Sequence, residues 1–399
     1  MPATNAPGPM VLRAPRLVDG TGAAPVGDAA LWLDGGLIAY AGPASALPPE
    51  AAGGRVPVLD LPGCTLLPGL VDVHVHLVAS GKPDLAAGIP EGEAARTVSA
   101  VANARRQLEH GVTLVRDLGA PGGEAIAVGR AVEAGELPGP RVVASGPAVT
   151  MTGGHIPYLG RVSDGVDAMR HAVRENAAMG AACIKVVATG GVLTKGIDPR
   201  KAAYTQAELD ALVEEAHRLG LRVAAHAIGE GGVVAALRAG VDSIEHGMFL
   251  DEAAIDGFLA TGARYTPTFS APHGILTGPG VPGWIKDRAR PAAEAQATSF
   301  RAAVKAGVKV VAGTDAGTPD NPHGGVAGEV GFMVEHGLDP LAAVRAATAE
   351  AADLLGVPDR GMLREGSRAD VLAVHGDAVA DVRALGQVVA VFQDGRRVC

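Results

Sequence analysis

The chain has 399 residues, 48% hydrophobic and 19% charged, which is enough to bury a large core and excludes wholesale disorder. A formal net charge of −9 with no Lys/Arg-rich run argues against nucleic acid or an anionic membrane surface as a partner. Three widely spaced cysteines, Cys64, Cys183 and Cys399, read as reduced thiols rather than a disulfide framework. Met1–Met10 lacks the basic-then-apolar order of a signal peptide, and no apolar run reaches the roughly 18–20 residues of a membrane span. A cytoplasmic protein is expected.

Taken in chain order, residues 1–65 read as short strands between turns. Leu31-Trp32-Leu33 and Leu37-Ile38-Ala39-Tyr40 flank Asp34-Gly35-Gly36, a hairpin signal, and 56–61 gives another strand. Between 66 and 360, apolar strands alternate with amphipathic helices. The expected strands are 67–76, 112–118, 141–145, 183–188, 222–226, 241–245, 264–268 and 308–314. Eight strands, each followed by a helix or loop, predict an α/β fold of the (β/α)8 TIM-like barrel type over 66–360. One helix begins at a capping box, Thr205-Gln206-Ala207-Glu208, carries an apolar stripe and stops at Gly220. His217 lies off that stripe and reads as solvated. A second helix is expected from Asp339 to Leu355. The Gly/Pro-rich segments 81–92 and 272–283 follow strands one and seven, where barrel enzymes carry active-site loops. After Gly361 short strands return at 370–374 and 388–392, followed by an Asp394-Gly395 turn. The two ends, 1–65 and 361–399, are expected to pair into one small β-sandwich domain.

In the run Val71-Asp72-Val73-His74-Val75-His76-Leu77, strand alternation places Asp72, His74 and His76 on one face. Neutral imidazole is a good ligand for zinc-like ions, but a His-x-His pair arises readily by chance among 12 histidines and needs partners. Catalytic groups of barrels sit at the C-terminal strand ends. There the sequence supplies His74 and His76 on strand one, Lys185 on strand four, His226 on strand five, His246 on strand six and Asp315 after strand eight. Lys185, in an apolar strand, admits two readings. It is either a snorkelling or ion-paired lysine, or one whose lowered pKa lets it react with carbon dioxide to give a carbamate, an anionic ligand able to bridge two metals.

Several stretches carry a resemblance: Leu67-Pro68-Gly69-Leu70-Val71-Asp72-Val73-His74-Val75-His76, Met151-Thr152-Gly153-Gly154-His155, Ile184-Lys185-Val186-Val187-Ala188-Thr189-Gly190-Gly191-Val192, Ala225-His226-Ala227, Ser243-Ile244-Glu245-His246-Gly247 and Gly313-Thr314-Asp315-Ala316-Gly317-Thr318. With them the chain resembles the amidohydrolase superfamily, in its binuclear-metal branch of imidazolonepropionase-like and Xaa-Pro dipeptidase-like members. The resemblance implies two divalent ions, zinc first among them. His74, His76 and Asp315 would hold one, and His226 and His246 the other, with N-carboxylated Lys185 and a hydroxide between them. It further implies attack on a small-molecule amide carbonyl, with Asp315 moving the proton and His155 reaching the carbonyl oxygen. A homo-oligomer is implied as well. Dipeptidase-like relatives often carry tyrosine two residues after the strand-five histidine, where this chain has Ile228. Ile228 is itself a candidate substrate contact, suited to a more apolar substrate, and Tyr158, Lys195, His273 and His323 lie on candidate active-site segments and are further candidates for holding substrate.

Other chemistries have less support. There is no Gly-x-Ser-x-Gly elbow, and Gly229-Glu230-Gly231-Gly232 has neither dinucleotide-fingerprint spacing nor a Walker lysine. A lyase, an isomerase or a cyclic-amide hydrolase on the same metal barrel stays open, as does a non-catalytic protein keeping a structural metal.

Overall fold

The computed structural model describes residues 7–399. Residues 1–6, part of the stretch read above for a signal peptide and of the expected terminal domain, lie outside the described residues. The first strands are β1 (Met10–Leu17), β2 (Val26–Asp34), β3 (Leu37–Pro43), β4 (Val58–Asp60) and β5 (Cys64–Pro68). Then come β6 (Leu70–Val75), β7 (Val112–Asp117), β8 (Arg141–Ala144), β9 (Ala148–Thr150), β10 (Gly160–Val162), β11 (Cys183–Val187), β12 (Arg222–Ala227), β13 (Ser243–His246) and β14 (Arg264–Thr266). The last are β15 (Val371–His375), β16 (Val388–Gln393) and β17 (Arg396–Arg397).

Both chain ends share one eight-stranded sheet, ordered β17-β16-β15-β5-β1-β2-β3 with β4 beside β1. The β2–β3 hairpin turns at Gly35 and Gly36, both at positive φ, with Leu33 opposite Ile38. Leu12, Leu31, Leu66, Val371 and Phe392 form an apolar cluster of this sheet, distinct from the main core.

The expected strand 67–76 is in fact two. Pro68 pairs with Val371 in the terminal sheet, while Leu70 pairs with Val112 in a parallel one. Gly69 makes the switch. Its N–H donates to the Asp370 carbonyl at 2.9 Å, and a Cβ there would overlap the Thr113 side chain. The expected boundary between residues 65 and 66 falls inside β5.

Strands β6 to β14 pair only in parallel, in two sheets of order β6-β7-β8 and β10-β9-β11-β12-β13-β14. Segment 308–314 is not the regular strand its sequence suggests. Its peptides serve three neighbours in turn: Lys309 O accepts from Tyr265 N at 2.9 Å, Ala312 N donates to Ala346 O at 2.9 Å, and Ala312 O accepts from Val73 N at 3.1 Å. The same sharing splits the helix expected at 339–355 into Pro340–Ala346 and Ala349–Leu354. The carbonyls of Ala346 and Ala347 accept from Ala312 and Val71 instead of continuing the helical ladder.

The Thr205 capping box forms and starts helix Gln206–Arg218, on which half-exposed His217 bonds Asp242 at 2.9 Å. Segment 272–283, expected to be a loop, is largely helical. Helix Ser270–Thr277 starts where buried Glu329 accepts from the N–H groups of Phe269 and Ser270, both at 2.8 Å. Among the described residues no helix is long and apolar enough to cross a membrane.

Candidate metal centre

Four parallel strands deliver side chains to one end of the sheets. His74 comes from β6, Lys185 from β11, His226 from β12 and His246 from β13. His76 follows β6, and Asp315 follows the irregular segment beside it. The structure brings these six together. Asp315 Oδ1 lies 3.4 Å from His74 Nε2 and 3.3 Å from His76 Nε2. The His246 ring centroid is 5.3 Å from that of His74 and 4.6 Å from that of His226. Ligand atoms of His74, His246 and Asp315 all lie within 4.8 Å of one another. His155, from the loop after β9, joins at 4.8 Å from His226. All seven residues are buried.

Each imidazole has one nitrogen fixed by the protein. His74 Nδ1 meets Glu245 at 2.9 Å, His76 Nδ1 the Gly119 carbonyl at 3.2 Å, and His226 Nε2 the Gly190 carbonyl at 2.8 Å. His246 Nδ1 meets Thr268 Oγ1 at 2.8 Å, and that hydroxyl already donates to Pro267 O, so it accepts from the ring. All four partners therefore take an N–H and leave the opposite nitrogen with its lone pair, the form a metal needs. His155 differs. Its Nδ1 faces Thr194 Oγ1 at 2.8 Å, a hydroxyl that can donate to it and so allow the Nε2–H tautomer, a hydrogen-bond donor.

Electrostatics agree with neutral rings. Burial, and then the charge of Lys185, pull His74 down to about 4 and His226 to about 3. Burial and neighbouring imidazoles hold His155 and His246 well below their ordinary value. His76 goes the other way: burial lowers it, but the hydrogen bond and charge of Asp315 together with the charge of Asp117 outweigh that and raise it. Burial raises Asp315, but His74, His76 and Lys185 together bring it below the usual carboxylate range. Burial brings Lys185 down to about 8, and its Nζ is buried without a hydrogen-bond partner. An orphaned buried amine beside four lone-pair imidazoles and a carboxylate fits a divalent-metal site with one ligand still to be completed.

Backbone strain is concentrated here. His246, Thr268 and Asp315 have φ of 75°, 57° and 58°, a region costly for non-glycine residues. Gly191 is needed because any Cβ there would strike the His155 ring, and Gly313 because one would meet His74 Cβ at 2.9 Å.

Sequence reasoning passed over the residues that orient the ligands. Glu245, fully buried, also takes Arg116 Nη2 at 2.8 Å and Ser243 Oγ at 2.5 Å. Burial raises its pKa, but Arg116 and His74 outweigh this and hold it ionised. A charged residue inside each of the apolar strands β7 and β13 was the available signal. Asp72, expected on the histidine face, instead ties segment 308–314 to β6 by accepting from Thr314 N at 3.0 Å and Thr314 Oγ1 at 2.6 Å.

A cavity opens beside the imidazoles, and His155, His226, His246, Asp315 and Ile228 line it. Tyr158 and His323 are not among its lining residues. Tyr158 sits on the one-turn helix Pro157–Leu159. Both ring nitrogens of His323 are used structurally, Nε2 with the Ala79 carbonyl at 2.8 Å and Nδ1 with Gln107 at 3.4 Å. Lys195 lies over Trp284, 4.9 Å from the ring centroid, and His273 packs on Phe332.

Comparison with known proteins agrees with this geometry. The model of the amidohydrolase family matches residues 65–398. The ochratoxinase of Aspergillus niger is 33% identical, covering 96% of this chain and 84% of the relative. An imidazolonepropionase of Rhodococcus jostii is 30% identical over 87% of this chain and 82% of its own. Among solved structures, a Xaa-Pro dipeptidase with methionine bound in its active site superposes with a TM-score of 0.90 at 33% identity, covering 98% of this chain and 99% of the other.

Proposed function

The chain belongs to the amidohydrolase family and is a hydrolase of carbon–nitrogen bonds, and from that premise we propose that it cleaves the amide bond of a small molecule at a binuclear metal centre. One observation carries this reading: four imidazoles with preset lone pairs, Asp315 and the orphaned amine of Lys185 converge at one end of the parallel sheets, where His226, His246 and Asp315 line a cavity. His74, His76 and Asp315 would hold one divalent ion, His226 and His246 the other, and Lys185 would contribute to both as a carbamate. A buried amine lowered to about 8 has a neutral fraction at pH 7, which adds to carbon dioxide and releases one proton. Zinc suits this imidazole-rich set.

When bound, such ions acidify a coordinated water and polarise the substrate carbonyl. Asp315, ionised at neutral pH, takes the proton of the attacking water and hands it to the leaving nitrogen. His155 stays neutral and presents Nε2–H to the carbonyl oxygen as negative charge develops there. Candidate substrates are dipeptides, N-acyl amino acids and aryl amides. The names of the relatives, ochratoxinase and Xaa-Pro dipeptidase, support small amide-type substrates.

The two parallel sheets read best as one (β/α)8 barrel that begins after Gly69, rather than at 66, and runs to 360. Support comes from Ala182 N to Ala144 O at 2.8 Å, which ties the start of β11 to β8, and from segment 308–314, whose Lys309 O accepts from Tyr265 N of β14 and whose Ala312 O accepts from Val73 N of β6. The shared terminal sheet supports a composite β domain built from the described residues up to Pro68 and from 361–399.

The test is a hydrolysis screen of metal-loaded protein against dipeptides, N-acyl amino acids, cyclic amides, and aryl amides or ureas. Metal-dependent release of amine from one class is expected. Turnover of none, with the metals shown to be bound, contradicts the proposal.

A further inference from the structure

The cavity has a second wall of different character. Ile228, Met248 and Ala292 pack in one small apolar cluster, while Val192, Ile275 and Ala289 belong to another, both separate from the main core. All six line the cavity. They converge from five segments: the loop after β11, the turns after β12 and β13, and helices Ser270–Thr277 and Gly283–Ala306. Apart from Thr318, every polar side chain lining the cavity belongs to the imidazole and carboxylate wall.

The nearby cations are engaged elsewhere. Arg288 gives Nε and Nη2 to the carbonyls of Val192, Gly191 and Ile197. With Arg200, which lies 3.6 Å from Asp198, it lines a separate cleft for which Ala292 is the shared wall.

Resting on the amide-hydrolase reading above, we propose that this wall receives an uncharged apolar group attached to the scissile amide. The substrate class is then an aryl or alkyl amide, and Ile228 and Met248 are specificity-determining residues. A hydrocarbon chain or ring placed there leaves water for methyl and thioether contacts, a favourable transfer. A carboxylate in the same place would give up its hydration, with no cation among the described lining residues to replace it.

A matched pair of compounds tests this: N-acetylphenethylamine and N-acetylphenylalanine share the amide and the phenyl ring and differ by one carboxylate. The metal-loaded protein should favour the neutral compound by about tenfold or more in kcat/KM. Calorimetric titration of an Asp315→Asn protein with the same pair should give the same order of affinity without turnover. Ile228→Lys, and separately Met248→Lys as a second variant in case the first does not fold, should compress or reverse the ratio. Equal or tighter binding of the carboxylate by the unsubstituted pocket overturns the inference while leaving amide hydrolysis standing. Cleavage of neither compound, with the affinity order kept, counts instead against the proposed reaction.

Discussion

His74, His76, His226 and His246, of which the last two line the cavity, each have one ring nitrogen already tied to a carboxylate, a carbonyl or a hydroxyl, whereas Ile228, Met248 and Ile275 on the apolar wall are held by packing alone. Directional bonds fix rotamer and tautomer together, so the polar wall has one working arrangement. Packing fixes only volume, so the apolar wall can be reshaped at modest cost. The difference teaches where to look for each property: the proposed reaction rests on the polar wall and the proposed substrate preference on the apolar one.

Substitutions can break this contrast in order of severity. Asp315→Asn keeps the shape but loses both the proposed proton acceptor and a charged ligand of one proposed ion. Amide hydrolysis should fall about a hundred- to ten-thousandfold with metal affinity reduced, checked by turnover and metal titration. Glu245→Gln touches no substrate, yet leaves Arg116 as an uncompensated buried charge. A stability loss of about 3–5 kcal/mol is expected by denaturant unfolding, with metal affinity down about 10–100-fold.

Protonation separates the walls too. The folded pKa values of His74 and His226, about 4 and about 3, lie below their unfolded value. Their contribution to stability is therefore complete above pH 6.5 and lost as pH falls toward 4. Behind the apolar wall, burial raises Glu329 to about 7 from its ordinary value of 4.5. Its contribution is present below 4.5 and fades as pH rises through 7. Glu329→Gln should remove on the order of 3 kcal/mol of that alkaline loss, read from unfolding curves at pH 5 and pH 8. Ile228→Val should cost only about 0.5–1.5 kcal/mol and leave metal binding intact by titration. Tyr158→Phe, outside the cavity lining, should change kcat/KM less than about threefold, because it removes no contact to the reacting atoms.

The strand ends bearing His74, His76, Lys185, His226, His246 and Asp315 were legible because each lies on or beside an apolar strand whose period is set by local sequence. The ligand-orienting shell was not. Glu245 meets Arg116 across 129 positions and His74 across 171, and no local pattern encodes such a pairing. The split at Gly69, the irregular segment 308–314 and the broken helix at 346–349 were hidden for a related reason. In each, a backbone group leaves its local ladder for a distant partner, and tertiary contacts override propensity. Tyr158 and His323 were drawn in by their place on expected loops, yet only the fold shows that His323 spends both nitrogens on Ala79 and Gln107.

Metal content, measured on protein purified without chelator and compared with its Lys185→Ala variant, tests the polar wall most directly. The account predicts about two divalent ions per chain in the wild type, lost together with amide hydrolysis in the variant. One ion or none in the wild type, or hydrolysis unchanged in the variant, would contradict it.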